Sequence, residues 1–239
     1  MGAFPEYAKF ISEIAEAGYR FATMSAGAPS PETTIYLRHD IDFDTEYALR
    51  MAKIEAQMGV AATYYFMLSS DSYNPLSSYN SHRIREIAAL GHKISLHFDP
   101  VIYDDMEQGL LREVAVFRDA FGVPVDIISI HRPNEAILSH EGEIAGIAHT
   151  YQSRYSKDVF YCSDSQGRWR FGSPLDSQAF ANRTTIHLLT HPIWWVRGEA
   201  ESQAQLDGYV SDRIERFLTH IEANCRSFSK ALSVHNVAY

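Results

Sequence analysis

Two aspartates, Asp40 and Asp42, stand close together at the end of a short β-favouring segment, where their carboxylates could share one site. Residues 35–37 are Ile, Tyr and Leu, and a helical pattern begins at Thr45. On a strand, side chains two positions apart lie on the same face, so both carboxylates point the same way. Two like charges held together are costly unless a cation or a proton separates them. The pair therefore predicts a cation site whose other ligands lie elsewhere in the chain.

Three further predicted strands end in side chains that bind metals or transfer protons. These side chains are His97 and Asp99, His131 and Arg132, and His191. One such histidine is more often structural, but four strand ends that carry these groups indicate a site at one edge of a sheet. Imidazole with carboxylate suits zinc or another divalent transition metal. A second carboxylate could accept a proton from water, and a histidine could protonate a leaving group. His39 fits either this site or a structural hydrogen bond.

The elements that must position these residues alternate between short apolar strands and amphipathic helices. Strands are predicted over 35–42, 61–68, 93–99, 126–131, 150–155 and 184–190. Helices are predicted over 5–21, 45–58, 82–90, 104–121, 139–148 and 202–224. A loop is predicted over 159–173, with a strand embedded near 169–171. This β/α rhythm is typical of a parallel sheet or barrel with helices outside. In such folds ligands bind at the carboxyl ends of the strands.

The bulk properties exclude several classes of function. The chain has 239 residues, a length that fits one large α/β domain. Its net charge of −9 and the absence of Lys/Arg runs argue against nucleic acid or an anionic membrane surface as a partner. The sequence contains no stretch of 18 apolar residues, so no membrane span is predicted. It also has no recognisable signal peptide, in which a basic region precedes an apolar one. A cytoplasmic protein is therefore expected.

Five segments, taken in order, resemble the motifs of the polysaccharide deacetylases with a NodB homology domain, which form carbohydrate esterase family 4. The segments are Arg38-His39-Asp40-Ile41-Asp42, Gly91-His92-Lys93-Ile94-Ser95-Leu96-His97, Ile130-His131-Arg132-Pro133, the pair Asp164 and Trp169, and Leu189-Thr190-His191. Together they span about residues 35–195. The His-Asp-x-Asp opening and the Leu-His-Phe-Asp strand look most like the branch found among lipopolysaccharide O-antigen genes, the WbmS-like proteins.

The resemblance implies an α/β fold, a distorted (β/α) barrel of about seven strands, here with an extra N-terminal helix and a single catalytic domain over 1–239. It also implies a metal-dependent enzyme that removes an N-acetyl or O-acetyl group from a sugar, nucleotide-sugar or glycan precursor. In the family's scheme Asp40 is the base, His191 is the general acid, and Asp42 and His97 bind the metal. The residues expected to contact the sugar are Asp164, Trp169 and Arg170, although their loop could also be an ordinary polar loop.

The first motif departs from the family pattern because Ile41 separates its two aspartates, which are adjacent in the family. The base and ligand roles of Asp40 and Asp42 could therefore be exchanged. In the third motif, Arg132 stands beside the place of the family's arginine. If it is the equivalent residue, it pairs with Asp40 and holds that carboxylate ionised as part of the catalytic set.

The second motif lacks the family's second metal-binding histidine, since position 101 is Val101. The third ligand must then be Asp99, which shares a strand face with His97, or His131, which ends the neighbouring strand. His131 is favoured because a neutral imidazole adds no charge to a site that already holds an aspartate.

Two other functions remain open at this point. The altered second motif could leave an inactive family member that binds a carbohydrate or an anion without turnover. A different hydrolase on a similar barrel is the third possibility, although an amidohydrolase would typically carry His-x-His after its first strand, where this chain has His-Asp-Ile-Asp.

Overall fold

A curved parallel sheet forms the centre of the protein. The computed structural model describes residues 6–27, 33–170, 172–198 and 201–230. The strands are β1 (Arg20–Ala22), β2 (Thr34–Ile41), β3 (Thr63–Phe66), β4 (Lys93–Phe98), β5 (Ile127–Ile130), β6 (Ala148–His149), β7 (Phe160–Ser163) and β8 (Ile186–Thr190). Seven strands lie in the order β6-β5-β4-β3-β2-β8-β7, and β1 pairs with the start of β2. All of these pairings are parallel.

Helices connect most of the strands and cover the sheet. They are α1 (Tyr7–Glu16), α2 (Thr45–Gln57), α3 (Ser78–Ala89), α4 (Met106–Phe121), α5 (Glu135–Leu138), α6 (Ser153–Ser156), α7 (Gln178–Ala181) and α8 (Ser202–Asn224). Within the described ranges, no helix is both long and apolar enough to cross a membrane. The predicted fold class, a distorted (β/α) barrel with an added N-terminal helix, is confirmed. The barrel is partly open, since no ladder joins β6 to β7 among the strands described.

Strand β2 lies in the middle of the sheet and sets the geometry of the site. All eight of its residues are buried, and it pairs with both β3 and β8. The register places Asp40 opposite Tyr65 of β3 and His39 opposite Thr190 of β8. Helix α2 begins directly afterwards, where the Asp44 carboxylate accepts a hydrogen bond from the backbone N–H of Glu46 and caps the helix. The two aspartates of the first motif are thus held between a rigid strand and a capped helix.

The predictions for the segment after β5 are wrong. The helix expected over 139–148 and the strand expected over 150–155 are absent, and α5, β6 and α6 occupy this part of the chain. Ala145 and Gly146 adopt left-handed backbone conformations with φ of 48° and 76°, which interrupt any α-helix. In the same region β7 lies at the start of the loop expected over 159–173, whereas the strand expected near 169–171 falls partly outside the described residues. Local conformations of this kind are not visible in an apolar pattern.

Apolar side chains pack on both faces of the sheet. On β2, Leu37 belongs to the large cluster that includes the buried residues of α1, α2 and α4, whereas the adjacent Tyr36 belongs to a smaller cluster. Successive side chains on a strand point to opposite faces, so the two clusters lie on the two sides of the sheet. Burial on both faces explains why these strands appear in the sequence as continuous apolar runs.

A buried carboxylate in α2 ties that helix to the sheet. Glu55 is fully buried and accepts hydrogen bonds from the hydroxyl of Tyr7, from Tyr64 Oη at 2.7 Å and from His39 Nε2 at 2.7 Å. The other ring nitrogen of His39 lies 2.7 Å from Thr190 Oγ1. His39 therefore connects α2 to β2 and β8 on the face opposite to that of the neighbouring Asp40. Of the two roles open to His39, these contacts are those of a structural residue.

We expect Glu55→Gln to lower the free energy of unfolding by about 3 kcal/mol at pH 7, since charge-assisted hydrogen bonds to a buried group are lost. Burial raises the pKa of Glu55, but the His39 charge and the hydrogen bonds outweigh it and hold the pKa below its usual value. The contribution of the ionised Glu55 carboxylate to the free energy of unfolding is thus complete above the unfolded-state pKa of about 4.3. It is lost as the pH falls through the lower pKa of the folded state. Urea unfolding should show the difference between variant and parent shrinking at acidic pH. Glu86→Gln, on the surface, is the control.

Candidate metal and acid–base site

The carboxyl ends of β2, β4, β5 and β8 bring the predicted chemical residues together. Asp40 lies at the end of β2 with Asp42 just beyond it, and His97 lies in β4. His131 directly follows β5, and His191 directly follows β8. In the sheet order these strands are separated by no more than β3. Residues far apart in sequence therefore converge on one place above the sheet.

Three of these side chains form a compact group of possible metal ligands. His97 Nε2 lies 3.2 Å from His131 Nδ1 and 3.2 Å from Asp42 Oδ1, and His131 Nδ1 lies 3.6 Å from the same oxygen. Tetrahedral zinc with bonds of about 2.0–2.1 Å places its ligand atoms about 3.3 Å apart. The three atoms fit such an ion, and a set of three protein ligands leaves a fourth position for substrate or water.

The surroundings of these atoms also fit a cation. Asp42 Oδ1 is buried, and among the described residues its neighbours are the ring nitrogens of His97 and His131, neither of which makes a well-oriented hydrogen bond to it. A buried carboxylate oxygen placed in this way suits a cation. His97 Nδ1 lies 2.6 Å from Ser129 Oγ, a contact that orients the ring and points Nε2 toward Asp42. Burial and the neighbouring His97 lower the pKa of His131. This favours the neutral imidazole, the form that binds metal.

Asp99, the alternative third ligand, is engaged elsewhere. Its Oδ2 accepts a hydrogen bond from Arg132 Nη2 at 2.7 Å, and its Oδ1 accepts one from the backbone N–H of Val101 at 3.2 Å. Val101 itself is 66% exposed. The geometry therefore favours His131 over Asp99 as the third ligand.

Asp40 is paired with an arginine that the sequence interpretation missed. Arg38 Nε donates to Asp40 Oδ1 at 2.8 Å, and Arg38 Nη2 donates to Asp40 Oδ2 at 2.6 Å. Arg38 is fully buried and Asp40 is 3% exposed. Burial raises the pKa of Asp40, but the bidentate Arg38 outweighs it and holds the pKa well below its usual value. Asp40 is therefore kept ionised.

The prediction that Arg132 pairs with Asp40 is wrong. Arg38 and Asp40 are two residues apart on one strand face, so the guanidinium reaches the carboxylate along β2. Arg132 lies beyond the end of β5, and its partner is Asp99. The Arg38–Asp40 pair also helps to decide which of Asp40 and Asp42 is the base and which is the metal ligand. Both oxygens of Asp40 are held by Arg38, whereas Asp42 supplies an oxygen to the ligand group, which favours Asp40 as the base and Asp42 as the ligand.

His191 is oriented by a buried carboxylate. Asp164 Oδ1 lies 2.6 Å from His191 Nδ1, and both Asp164 oxygens accept the backbone N–H of His191 at 3.0 Å. Trp195 Nε1 donates to Asp164 Oδ2 at 2.7 Å. Burial lowers the pKa of His191, but the Asp164 charge outweighs it and raises the pKa to about 9. Asp164 is fully buried beneath His191, so the expectation that it contacts the sugar is wrong.

Asp164→Asn should return the pKa of His191 toward its ordinary value, because the variant loses the negative charge that favours the imidazolium. In the metal-free protein, NMR titration should give a His191 pKa of about 9 for the wild type and a lower one for the variant. If His191 is a proton donor, turnover should also fall by about 10²–10³. An unchanged titration would contradict the assigned role of Asp164.

A cavity of about 700 Å³ opens from this group along β5, β7 and β8. Besides the site residues, it is lined by Arg132, Tyr151, Tyr161, Ser163, Gln166 and Arg170. Arg170 thus lies where the sequence predicts a substrate contact. Trp169 does not line the cavity; its ring packs 5.9 Å from that of Phe10 and 6.1 Å from that of Trp195, which indicates a structural role.

Two residues of the site were missed at the sequence level, although the sequence carries a signal for each. Arg38 sits inside a strand of buried residues, and a buried guanidinium needs an anion, of which Asp40 is the nearest on the same face. Ser129 is the polar residue in the apolar strand β5, and it lies opposite His97 in the register. Polar residues inside apolar strands are therefore the signal for partners of the charged and metal-binding side chains of the site.

No protein-family model matches this chain, and no curated protein matches it either. Solved structures that resemble it are carbohydrate esterases of family 4 and related deacetylases. A family 4 carbohydrate esterase from Bacillus anthracis is 14% identical with a TM-score of 0.44, over 87% of this chain and 86% of that one. The chitin deacetylase of Colletotrichum lindemuthianum is 14% identical with a TM-score of 0.44, over 80% and 88%. A family 4 pseudoenzyme from Bacillus anthracis is 14% identical with a TM-score of 0.41, over 81% and 66%.

Proposed function

We propose that this protein is a metal-dependent hydrolase that removes an acetyl group, in the first place an N-acetyl group, from a sugar or glycan precursor. The proposal rests on the triangle of Asp42, His97 and His131, whose ligand atoms lie 3.2–3.6 Å apart. An ionised carboxylate and an imidazole, Asp40 and His191, lie beside this triangle. A hydrolase of this kind needs a metal site with a base and an acid next to it.

Asp42, His97 and His131 would hold the ion. A divalent ion, zinc or a similar transition metal, would act there as a Lewis acid that polarises the acyl carbonyl. The residues present suit that ion because two neutral imidazoles and one carboxylate leave it with a net positive charge.

The chain's own residues supply the proton transfers. Asp40 accepts a proton from the attacking water, and Arg38 keeps it ionised and fixed in position. His191, held in its charged form by Asp164, gives a proton to the leaving nitrogen through Nε2, since Nδ1 faces Asp164. The carbon–nitrogen bond then breaks to give acetate and a free amine. For an O-acetyl substrate, the same proton passes to the leaving oxygen.

The substrate is proposed from the cavity and from the sequence motifs. Tyrosine and serine hydroxyls and Arg170 line the space beside the site, and such groups hydrogen-bond sugar hydroxyls. The His-Asp-x-Asp opening supports a WbmS-like protein of lipopolysaccharide O-antigen or other surface-polysaccharide biosynthesis. The substrate proposed for such a protein is a nucleotide-sugar or glycan precursor in the cytoplasm. No nucleic acid partner is proposed.

Acetate release tests the proposal directly. Protein loaded with Zn²⁺ or Co²⁺ should release acetate from at least one compound in a panel of N-acetylated and O-acetylated sugars and nucleotide-sugars. Chelation should abolish the release, and added metal should restore it. A protein that takes up metal but releases no acetate from any of these compounds would contradict the proposal. One that takes up no metal would favour the inactive, carbohydrate-binding alternative.

A further inference from the structure

Two residues with side chains hold left-handed backbone conformations on the wall of the same cavity. Arg132 has φ of 48° and follows β5, and Gln166 has φ of 61° and follows β7. Both line the cavity that opens from the metal and acid–base site. Left-handed conformations are unfavourable for residues with a Cβ and are enriched at ligand-binding positions. These two polar side chains are therefore good candidates for ligand contacts.

Arg132 lines the cavity with a largely exposed side chain. Its side chain is 66% exposed, although one nitrogen, Nη2, is fixed by the buried Asp99. A guanidinium carries five N–H donors, so the pairing leaves donors for a ligand while anchoring the side chain. An arginine held in this way pays less side-chain entropy on binding and suits the planar or forked oxygens of carboxylate and phosphate.

The charges on the cavity wall favour an anion away from the metal group. Within the part of the chain that the structure describes, the carboxylates that line it are Asp40 and Asp42, both at the metal and acid–base site. Beyond that site the charged residues on the wall are Arg132 and Arg170. An anionic group placed there meets the side chains of Arg132 and Arg170, and no carboxylate of the described residues lines that part of the wall.

We infer that the substrate is an acetylated sugar that carries an anionic group, phosphate or carboxylate, and that Arg132 binds this group. The inference rests on the proposed deacetylase function. Arg132 directly follows the metal-ligand candidate His131, and neighbouring Cα atoms lie about 3.8 Å apart. The anion therefore belongs to the acetylated sugar itself or to a substituent attached to it. Arg132, wrongly expected to hold the base, becomes a specificity residue.

The test compares three related probes by NMR titration of the wild-type protein. N-Acetylglucosamine is neutral, N-acetylglucosamine 1-phosphate carries a phosphate, and N-acetylmuramic acid carries a carboxylate. At least one anionic probe should bind about tenfold more tightly than the neutral sugar, as expected for hydrogen bonds to a charged group. The arm that shows the preference identifies the phosphate or the carboxylate as the recognised group.

Two variants of Arg132 decide whether this residue carries the preference. Arg132→Gly permits the left-handed backbone, Arg132→Gln keeps a polar side chain, and both should reduce the preference to less than about twofold. Arg168→Gln is the matched control, because Arg168 is exposed in the same loop as Arg170 and does not line the cavity. Equal affinity for all three probes, or a preference unchanged in both Arg132 variants, would overturn the inference. The acetyl signal in the same spectra reports turnover separately, so a failure of the proposed function is distinguishable from a failure of anion binding.

Discussion

Asp40→Asn should reduce acetate release by about 10²–10⁴, because an amide cannot accept the proton of the attacking water. Asn is nearly the same size as Asp, so the backbone of β2 need not move. The three ligand candidates Asp42, His97 and His131 are untouched, so the variant should retain the metal content of the wild type. Turnover and metal content, measured on one preparation, separate the base from the ligands.

Wild-type rates in Asp40→Asn on a working substrate would contradict the assignment of the base. Loss of metal together with activity would instead indicate that Asp40 is a ligand, the exchanged assignment that the separated Asp pair leaves open. The variant should also unfold more easily, since it leaves the buried guanidinium of Arg38 without its anion. Activity is therefore compared at a temperature where both proteins are fully folded.

Arg38→Met should lower the free energy of unfolding by about 3–5 kcal/mol, the usual cost of leaving one member of a buried ion pair alone. Methionine fills much of the volume of the arginine stem, so the effect reports the charge rather than a cavity. Asp40 is 3% exposed and would lose both hydrogen bonds from the guanidinium. Turnover should fall as well, because the carboxylate loses its fixed orientation.

The double variant Arg38→Met, Asp40→Asn gives a sharper result. Removing both charges leaves no uncompensated ion in the interior, so its stability should exceed that of either single variant. Its activity should stay as low as that of Asp40→Asn. Urea unfolding at pH 7 and acetate release measure the two effects. Additive losses of stability would contradict a coupled Arg38–Asp40 pair.

The strand ends of the site were predictable for a simple physical reason. In a parallel sheet all carboxyl ends meet at one edge, so short apolar runs that finish in His97, His131 and His191 place these residues together without any knowledge of distances. The alternation of side chains along β2 predicts that Asp40 and Asp42 share a face. Which of these side chains touch depends on the strand order and the register, and both come from the structure.

The partners of those residues were less predictable. Arg132 was chosen for Asp40 by its place in a motif, whereas the actual partner lies two residues away on the same strand, where a buried charge demanded an anion. The likeness of Asp164 and Trp169 to the family's fourth motif predicts that Asp164 contacts the sugar, but Asp164 is buried under His191. Such pairings depend on burial and rotamer, which a motif does not encode. The secondary structure predicted around Ala145 was wrong for a similar reason, because a left-handed backbone conformation leaves no signal in the pattern of apolar residues.

The metal triangle is the central claim, and anomalous scattering tests it most directly. Crystals of protein purified without chelator and supplied with Zn²⁺ should be measured above and below the zinc absorption edge. One strong peak should lie within bonding distance of Asp42 Oδ1, His97 Nε2 and His131 Nδ1, with Asp99 still paired to Arg132. The absence of a peak between these three atoms, or a peak bound to Asp99 instead of His131, would contradict the claim.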